Sequence, residues 1–273
     1  MATATEVTTT TSELSLATGV IRQYDYWATV TKRTWRASVV SSFLSPIFYV
    51  VAMGVLLGGF IEGDPDQLEG ATSYLAFIVP GLVAAHAMQT AVGETTYPVM
   101  GMFKWHKTYE GMAATPLEPR HLAGAHLAFV AFRLATTCGV FMLVLVPFGL
   151  FATWWGPILA YLSQILVGMT FATLVYGLSC RMQRETGFGV LFRLGVFPLF
   201  LFSGAFFPVS NLGDVGAALA RLTPLWHGVN LSRMFAIDNV DWGVAAINVA
   251  VLVAMTAWGW HWSVTGITKR LIT

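Results

Sequence analysis

Charge is what this chain has least of. Asp, Glu, Lys and Arg make up 11% of its 273 residues while 56% are hydrophobic, too few charges to cover a soluble globule of that length. Lipid is the expected solvent for most of its surface. The formal net charge of +1 arises from bases scattered over polar joints, so no basic stripe for nucleic acid is present. There are only two cysteines, Cys138 in the middle of one apolar stretch and Cys180 at the end of the next. They offer neither a disulfide framework nor a paired-ligand metal site, and read as small buried hydrophobes. No G-x-x-x-x-G-K-[ST] loop occurs, so the chain does not cradle nucleotide phosphates as transport ATPases do. No H-E-x-x-H pair exists, and Ser203-Gly204 lacks the glycine two places earlier that a nucleophile elbow needs. His86, His126 and His261 stand on separate stretches with no acid at i+3 or i+4 and read as packing residues. These absences weigh against a membrane protease or another membrane enzyme.

What the chain does have is six long apolar stretches, at about 39–60, 73–98, 122–151, 157–180, 187–207 and 244–264. At about 1.5 Å per residue each matches or exceeds the ~30 Å hydrocarbon thickness. Backbone polar groups find no water there, so such runs are helical, whereas a barrel would need alternating strands of about ten residues. The expected fold is an all-α integral membrane protein with a six-span domain over 38–265. Lys and Arg near span ends are retained in the cytoplasm. Arg22, Lys32, Arg33, Arg36, Lys104, Lys107, Arg120, Arg181, Arg184, Lys269 and Arg270 all fall on one side, which places both termini in the cytoplasm.

Residues 1–20 are rich in Thr, Ser and Ala, lack a basic start followed by an apolar run, and are expected to be a disordered tail instead of a signal peptide. Residues 21–37 repeat at helical spacing, with Tyr24, Trp27, Ala28, Thr31 and Trp35 on one side and Arg22, Asp25, Lys32 and Arg36 on the other. That pattern suits a helix lying in the membrane interface; a polar start to the first span is the alternative. Pro224 divides the apolar segment 211–240 into two pieces too short to cross, expected as re-entrant half-helices or an outer-surface helical loop. Pro46, Pro80, Pro147 and Pro198 allow kinks within the stretches.

Glu94 and Arg133 lie inside apolar stretches, where a charge is expensive, and antiparallel neighbours bring them within reach as an intramembrane pair; snorkelling is the rival for Glu94 and Arg193. The joint between the second and third stretches sets Phe103, Trp105 and Tyr109 among Lys104, His106, Lys107 and Glu110, the composition of a docking surface or of a headgroup anchor.

Tyr74-Leu75-Ala76-Phe77, Pro80-Gly81, Glu94-Thr95-Thr96-Tyr97, Tyr109-Glu110-Gly111-Met112, Thr115-Pro116-Leu117, the run Phe202-Ser203-Gly204-Ala205-Phe206-Phe207-Pro208 and then Pro224-Leu225-Trp226-His227 with Arg233 together resemble the type-2 ATP-binding-cassette (ABC) transporter permeases, of the kind that export nodulation factors and daunorubicin. The likeness runs from about Trp27 to Val264. It implies a permease subunit of the bacterial plasma membrane with no catalytic or metal site of its own. Its partners would be a second permease, identical or distinct, and two cytoplasmic ATPases holding ATP and Mg, with lipid around it. It also implies ATPase coupling through Met102, Phe103, Lys104, Trp105, His106, Lys107, Tyr109 and Glu110, and through the interface helix with Trp27, Lys32, Arg33, Trp35 and Arg36. Phe202, Ser203, Gly204, Phe206, Phe207 and Pro208 would form an exit gate under the hairpin. Aromatic walls from Phe43, Phe48, Tyr49, Phe200, Phe202 and Phe206 favour a hydrophobic or amphipathic cargo such as a drug, glycolipid or lipid-linked saccharide. The competing readings are a non-transport polytopic enzyme and a passive channel or scaffold.

Overall fold

The computed structural model describes residues 15–24, 26–29, 32, 44, 47–48, 51–52, 69–71 and 73–272. Most of the first expected span (39–60), with Phe43 and Tyr49, lies outside the described residues, as do Arg33, Trp35, Arg36 and the tail up to residue 14.

Among the described residues the chain is helical with no strand. Residues 16–24 and 26–29 form α1, so the expected disordered tail is corrected at its end: residues 16–20 are helical. α2 (Tyr74–Thr95) starts where the Ser73 hydroxyl accepts from the Ala76 N–H, an N-cap that satisfies one orphan donor of the first turn. α2 passes into α3 (Tyr97–Lys104) through a break at Thr96, followed by α4 (Thr108–Ala113). α5 (Pro119–Leu145) opens on a capping box between Glu118 and His121, with Pro119 at the position where a missing N–H costs nothing. α6 (Gly156–Arg181) lies at the centre of the bundle, packed against α2, α5, α10 and α11.

Four helical segments are long and apolar enough to cross a membrane: Tyr74–Lys104, Pro119–Phe148, Gly156–Arg181 and Trp242–Ile272. They correspond to four of the six stretches, with shifted ends. The last helix, α11 (Trp242–Ile272), runs eight residues beyond the expected end at Val264. The fifth stretch is shorter than expected and is interrupted. It consists of α7 (Thr186–Val190), a π-helical turn (Leu191–Val196) and α8 (Phe197–Phe202). Pro198 has no N–H to return to the preceding turn, and the widened π turn sits directly upstream of it. Helix ends at Phe202, not Phe207, because Gly204 takes φ +87°, a left-handed conformation that stops a helix and suits glycine. After a 3-10 turn (Val209–Leu212), α9 (Gly213–Arg221) and α10 (Pro224–Ile237) divide at Thr223-Pro224, where the Thr223 hydroxyl accepts from Trp226 N–H.

α6 and α11 are fastened by side chains that serve each other's backbone. Arg181 donates from Nη1 to the carbonyls of Gly177 and Trp262, and its guanidinium lies 3.7 Å above the Trp262 ring. Arg270 donates from Nη1 to the carbonyls of Ser179, Cys180 and Met182 at 3.1, 3.3 and 2.7 Å. A cation at these carbonyls satisfies acceptors that the end of α6 leaves open and complements its dipole. Earlier along the same pair of helices, Thr170 and Thr256 hydroxyls meet at 2.8 Å and the Ser263 hydroxyl donates to the Thr173 carbonyl.

Arg270→Ala removes charge-assisted bonds to three carbonyls and is expected to destabilise the detergent-solubilised protein by about 1.5–3 kcal/mol, with Arg270→Lys recovering part of the loss. Thermal unfolding followed by circular dichroism measures it, and a midpoint unmoved by the alanine change contradicts the capping role.

Candidate functional site

The joint end of the bundle is organised by a missing donor. Pro98, in the first turn of α3, supplies no N–H, so the Glu94 carbonyl four residues earlier loses its helical partner. Thr96, at φ −96° and ψ −95°, takes the chain out of the helix between them. The freed carbonyl lies 3.1 Å from His126 Nε2 on α5. A carbonyl only accepts, so Nε2 carries the proton and Nδ1 of the neutral ring accepts from the Tyr109 hydroxyl at 2.8 Å. The Tyr109 oxygen in turn accepts from the Tyr176 hydroxyl on α6 at 3.0 Å. All three side chains are buried, and burial pushes the Tyr109 phenol well above its ordinary pKa, which keeps it a neutral donor. The chain of bonds thereby ties α2, α4, α5 and α6 together. His126, read from sequence as a packing residue, is its central member.

Glu94 is held at its other end as well. Arg133 Nε and Nη2 lie 3.0 and 2.9 Å from Glu94 Oε1, with both side chains about one-fifth exposed. His126 and Arg133 are seven residues apart, two turns along one face of α5, so one helix face grips both the carbonyl and the carboxylate of a single residue. On the outside of the same face Trp27 of α1 stacks on Phe129 at 4.6 Å and meets His126 edge-on at 4.5 Å. The helices cross closely there: a Cβ on Gly124 would come within 2.8 Å of Val20 Cγ2. The apolar face of α1, with Trp27 buried and Tyr24 and Ala28 partly so, thus packs on the bundle, while Arg22 and Lys32 are exposed.

The joint residues expected to meet an ATPase divide into two sets. Met102, Phe103 and Tyr109 are buried within the chain. Phe103 packs edge-on against Tyr109 at 4.8 Å and lies 4.1 Å beneath the Arg270 guanidinium. Lys104, Trp105, His106, Lys107 and Glu110 remain exposed, and Lys104 Nζ reaches Glu185 Oε1 at 2.6 Å. That exposed pair contributes at most about 1 kcal/mol.

At the opposite end, the Ser203-Gly204-Ala205 turn presses on α2. A Cβ on Gly81 would lie 2.6 Å from the Ala205 Cα and 2.8 Å from its carbonyl oxygen, so only glycine allows this approach. Arg233 of α10 fastens the turn. It is 5% exposed, donates from Nη2 to the Gly204 carbonyl at 2.7 Å, from Nε to the Phe77 carbonyl at 3.3 Å and from Nη1 to Glu69 Oε2 at 2.6 Å, and stacks over the Phe77 ring at 3.8 Å. In sequence Arg233 stands only as the base that follows the Pro224-Leu225-Trp226-His227 motif, and its position in an apolar segment is the one hint of burial. Of the expected gate residues, Ser203, Gly204 and Pro208 are buried and Phe202, Phe206 and Phe207 are open to differing degrees, with Phe206 edge-on to Phe200 at 4.8 Å. Among the described residues no cluster of three potential metal ligands exists, and Cys138 and Cys180 are buried free thiols.

A sequence profile described as ABC-2 type transporter matches residues 26–235. Nodulation protein J of Sinorhizobium fredii is 28% identical over 255 residues, 92% of either chain. Nodulation protein J of Rhizobium leguminosarum bv. trifolii is 29% identical over 78% of this chain and 77% of its own, and that of Bradyrhizobium diazoefficiens 27% over 90% and 94%. No solved structure matches the chain.

Tyr109→Phe leaves the Tyr176 hydroxyl without an acceptor and His126 Nδ1 without a donor, and is expected to lower stability by about 2–3 kcal/mol, whereas Tyr176→Phe removes only the terminal donor and costs about 1 kcal/mol. Equal melting temperatures for the two variants would contradict the direction of the chain. Arg133→Glu alone is expected to impair assembly and Glu94→Arg with Arg133→Glu to restore it, read as recovered folded protein on size-exclusion chromatography; absence of rescue removes the pair as an organising contact.

Proposed function

The chain belongs to the ABC-2 type transporter family, and from that premise we propose that it is the six-span permease subunit of an ATP-driven exporter in the bacterial plasma membrane. Both termini are cytoplasmic, and the cargo is hydrophobic or amphipathic: a drug, a glycolipid or a lipid-linked saccharide. The observation that carries this reading is the construction of the joint between α2 and α5. Phe103 and Tyr109 anchor it to the ends of α5, α6 and α11, while Lys104 to Lys107 stand outside. A lever needs this arrangement: an exposed grip joined to several long helices by contacts that do not yield. In the proposed cycle, ATP closes two cytoplasmic ATPase subunits, the grip follows them, and two permeases part on one side while meeting on the other. A passive scaffold has no use for a rigid surface of this kind.

At the outer end the Gly204 turn, Phe206 and Phe207 serve as the gate, with α9 and α10 as re-entrant pieces over it. Arg233 keeps the turn seated on α2, so the gate opens by movement of α8 and α9 relative to a fixed pivot at Gly81.

Co-expression with the ATPase subunit of the native locus tests the reading. The intact chain is expected to retain the ATPase on affinity purification. Trp105→Ala with Lys107→Glu is expected to weaken retention about tenfold or more without lowering the melting temperature, because both side chains are exposed. An intact, folded chain that captures no ATPase would sink the proposal.

A further inference from the structure

The α2–α3 segment and the chain from α7 to the Gly204 turn touch at both ends and part in the middle. At the joint end Tyr97, the first residue of α3, meets Phe188 of α7 edge-on at 5.1 Å, and at the other end Gly81 of α2 lies against Ala205 in the turn after α8. Between these contacts the π turn bows away and leaves a cavity of about 590 Å³ lined, among the described residues, by Gln89, Phe192, Arg193, Val196, Phe197 and Phe200. α2 is buried along most of its length, and Gln89 is its open position in this lining.

Arg193 is the anomaly in this wall. It falls near the middle of the apolar segment Thr186–Phe202, its side chain is exposed, and no ion pair, hydrogen bond or ring contact joins it to any described residue. The sequence supplies no counter-ion either. Residues 33–61 contain no Asp or Glu, and the other apolar stretches contain only Glu94, whose carboxylate is already engaged by Arg133. A guanidinium that has no partner among the described residues and sits inside an apolar segment is costly and marks a pathway or a ligand site.

We propose that this cavity is a binding site for an anionic amphiphile. Arg193 and the Gln89 amide receive its phosphate or carboxylate, a planar five-donor group and a neutral donor suited to a multi-oxygen anion. Phe192, Phe197 and Phe200 receive its apolar body. The proposal rests on the permease reading and narrows its cargo: among amphipathic molecules the site selects those with negative charge. The π turn is the structural means, since it swings Arg193 out of register with the packed face of its helix and widens the gap that admits the ligand.

The test uses the purified full-length chain in a neutral maltoside detergent with dodecyl phosphate, below its micellar concentration, as probe and dodecylphosphocholine and inorganic phosphate as comparators. Saturable binding of dodecyl phosphate is expected, with the zwitterion and the free anion weaker by about tenfold or more. Arg193→Gln should weaken dodecyl phosphate binding by about tenfold, and Arg193→Lys should recover part of that loss through its charge without the guanidinium's planar set of donors. Equal affinity in wild type and Arg193→Gln, equal affinity for the zwitterion, or no saturable binding overturns the site. Repeating the titration in phosphatidylcholine nanodiscs with and without phosphatidylglycerol separates two sources of the same chemistry: competition by phosphatidylglycerol assigns the site to an anionic bilayer lipid, and binding unaffected by it to a carried amphiphile. Binding needs no ATPase, so its failure leaves the permease reading to the co-purification result, and the converse also holds.

Discussion

A carbonyl inside an apolar bundle must find a donor, and Pro98 takes away the one that Glu94 would otherwise use. The joint end of the protein is arranged around that debt of one hydrogen bond. His126 supplies the donor, which fixes its tautomer; the tautomer makes Nδ1 an acceptor, which calls for the Tyr109 hydroxyl; and the Tyr109 oxygen then orients Tyr176. Each step follows from the donor and acceptor inventory of the group before it. The result is that a short connecting helix, α4, is secured to three long ones by directional bonds in a place where the hydrophobic effect alone gives little orientation.

The opposite end follows the same logic with a charge in place of a ring. The Gly204 turn exposes a carbonyl that no helix serves, and α10 brings Arg233 to it. A buried guanidinium with a carboxylate, two carbonyls and an aromatic face around it has its donors employed and its charge answered, which is the condition for its burial. Both ends are therefore closed by side chains that repay interrupted helices. Among the described residues the midsection between α2 and the π turn has no such closure, and it is where the cavity and Arg193, without a described partner, lie.

Much of the fold was legible in the residues because apolar length and the scarcity of charge are unambiguous signals. Four of the stretches became the long helices, and Pro224 divided α9 from α10 as its geometry requires. Glu94 and Arg133 stood out because few charges lie in apolar surroundings. The ends of the helices were less legible. Gly204 looks in sequence like one more small residue in an apolar run, and only its left-handed backbone shows that α8 stops before it. Arg270 reads as a topological charge, although its guanidinium extends α11 by capping α6. His126 was missed for a clearer reason: its partners, a backbone carbonyl on α2 and hydroxyls on α4 and α6, are brought together only by tertiary packing and leave no spacing to read. Tyr109 was read for its aromatic surface when its hydroxyl and its burial set its place.

The seating of α1 carries a consequence for biogenesis. Its contacts are with Met112, His121, Gly124, His126 and Phe129, and Trp260 borders the same crossing. Translation delivers α1 well before any of them, and Trp260 last among them. α1 must wait, undocked, until those later segments have been threaded in. Its docking thus reports that these later segments are in place, and a quality-control protease able to recognise the undocked helix would have a direct means of telling a partly assembled chain from an assembled one.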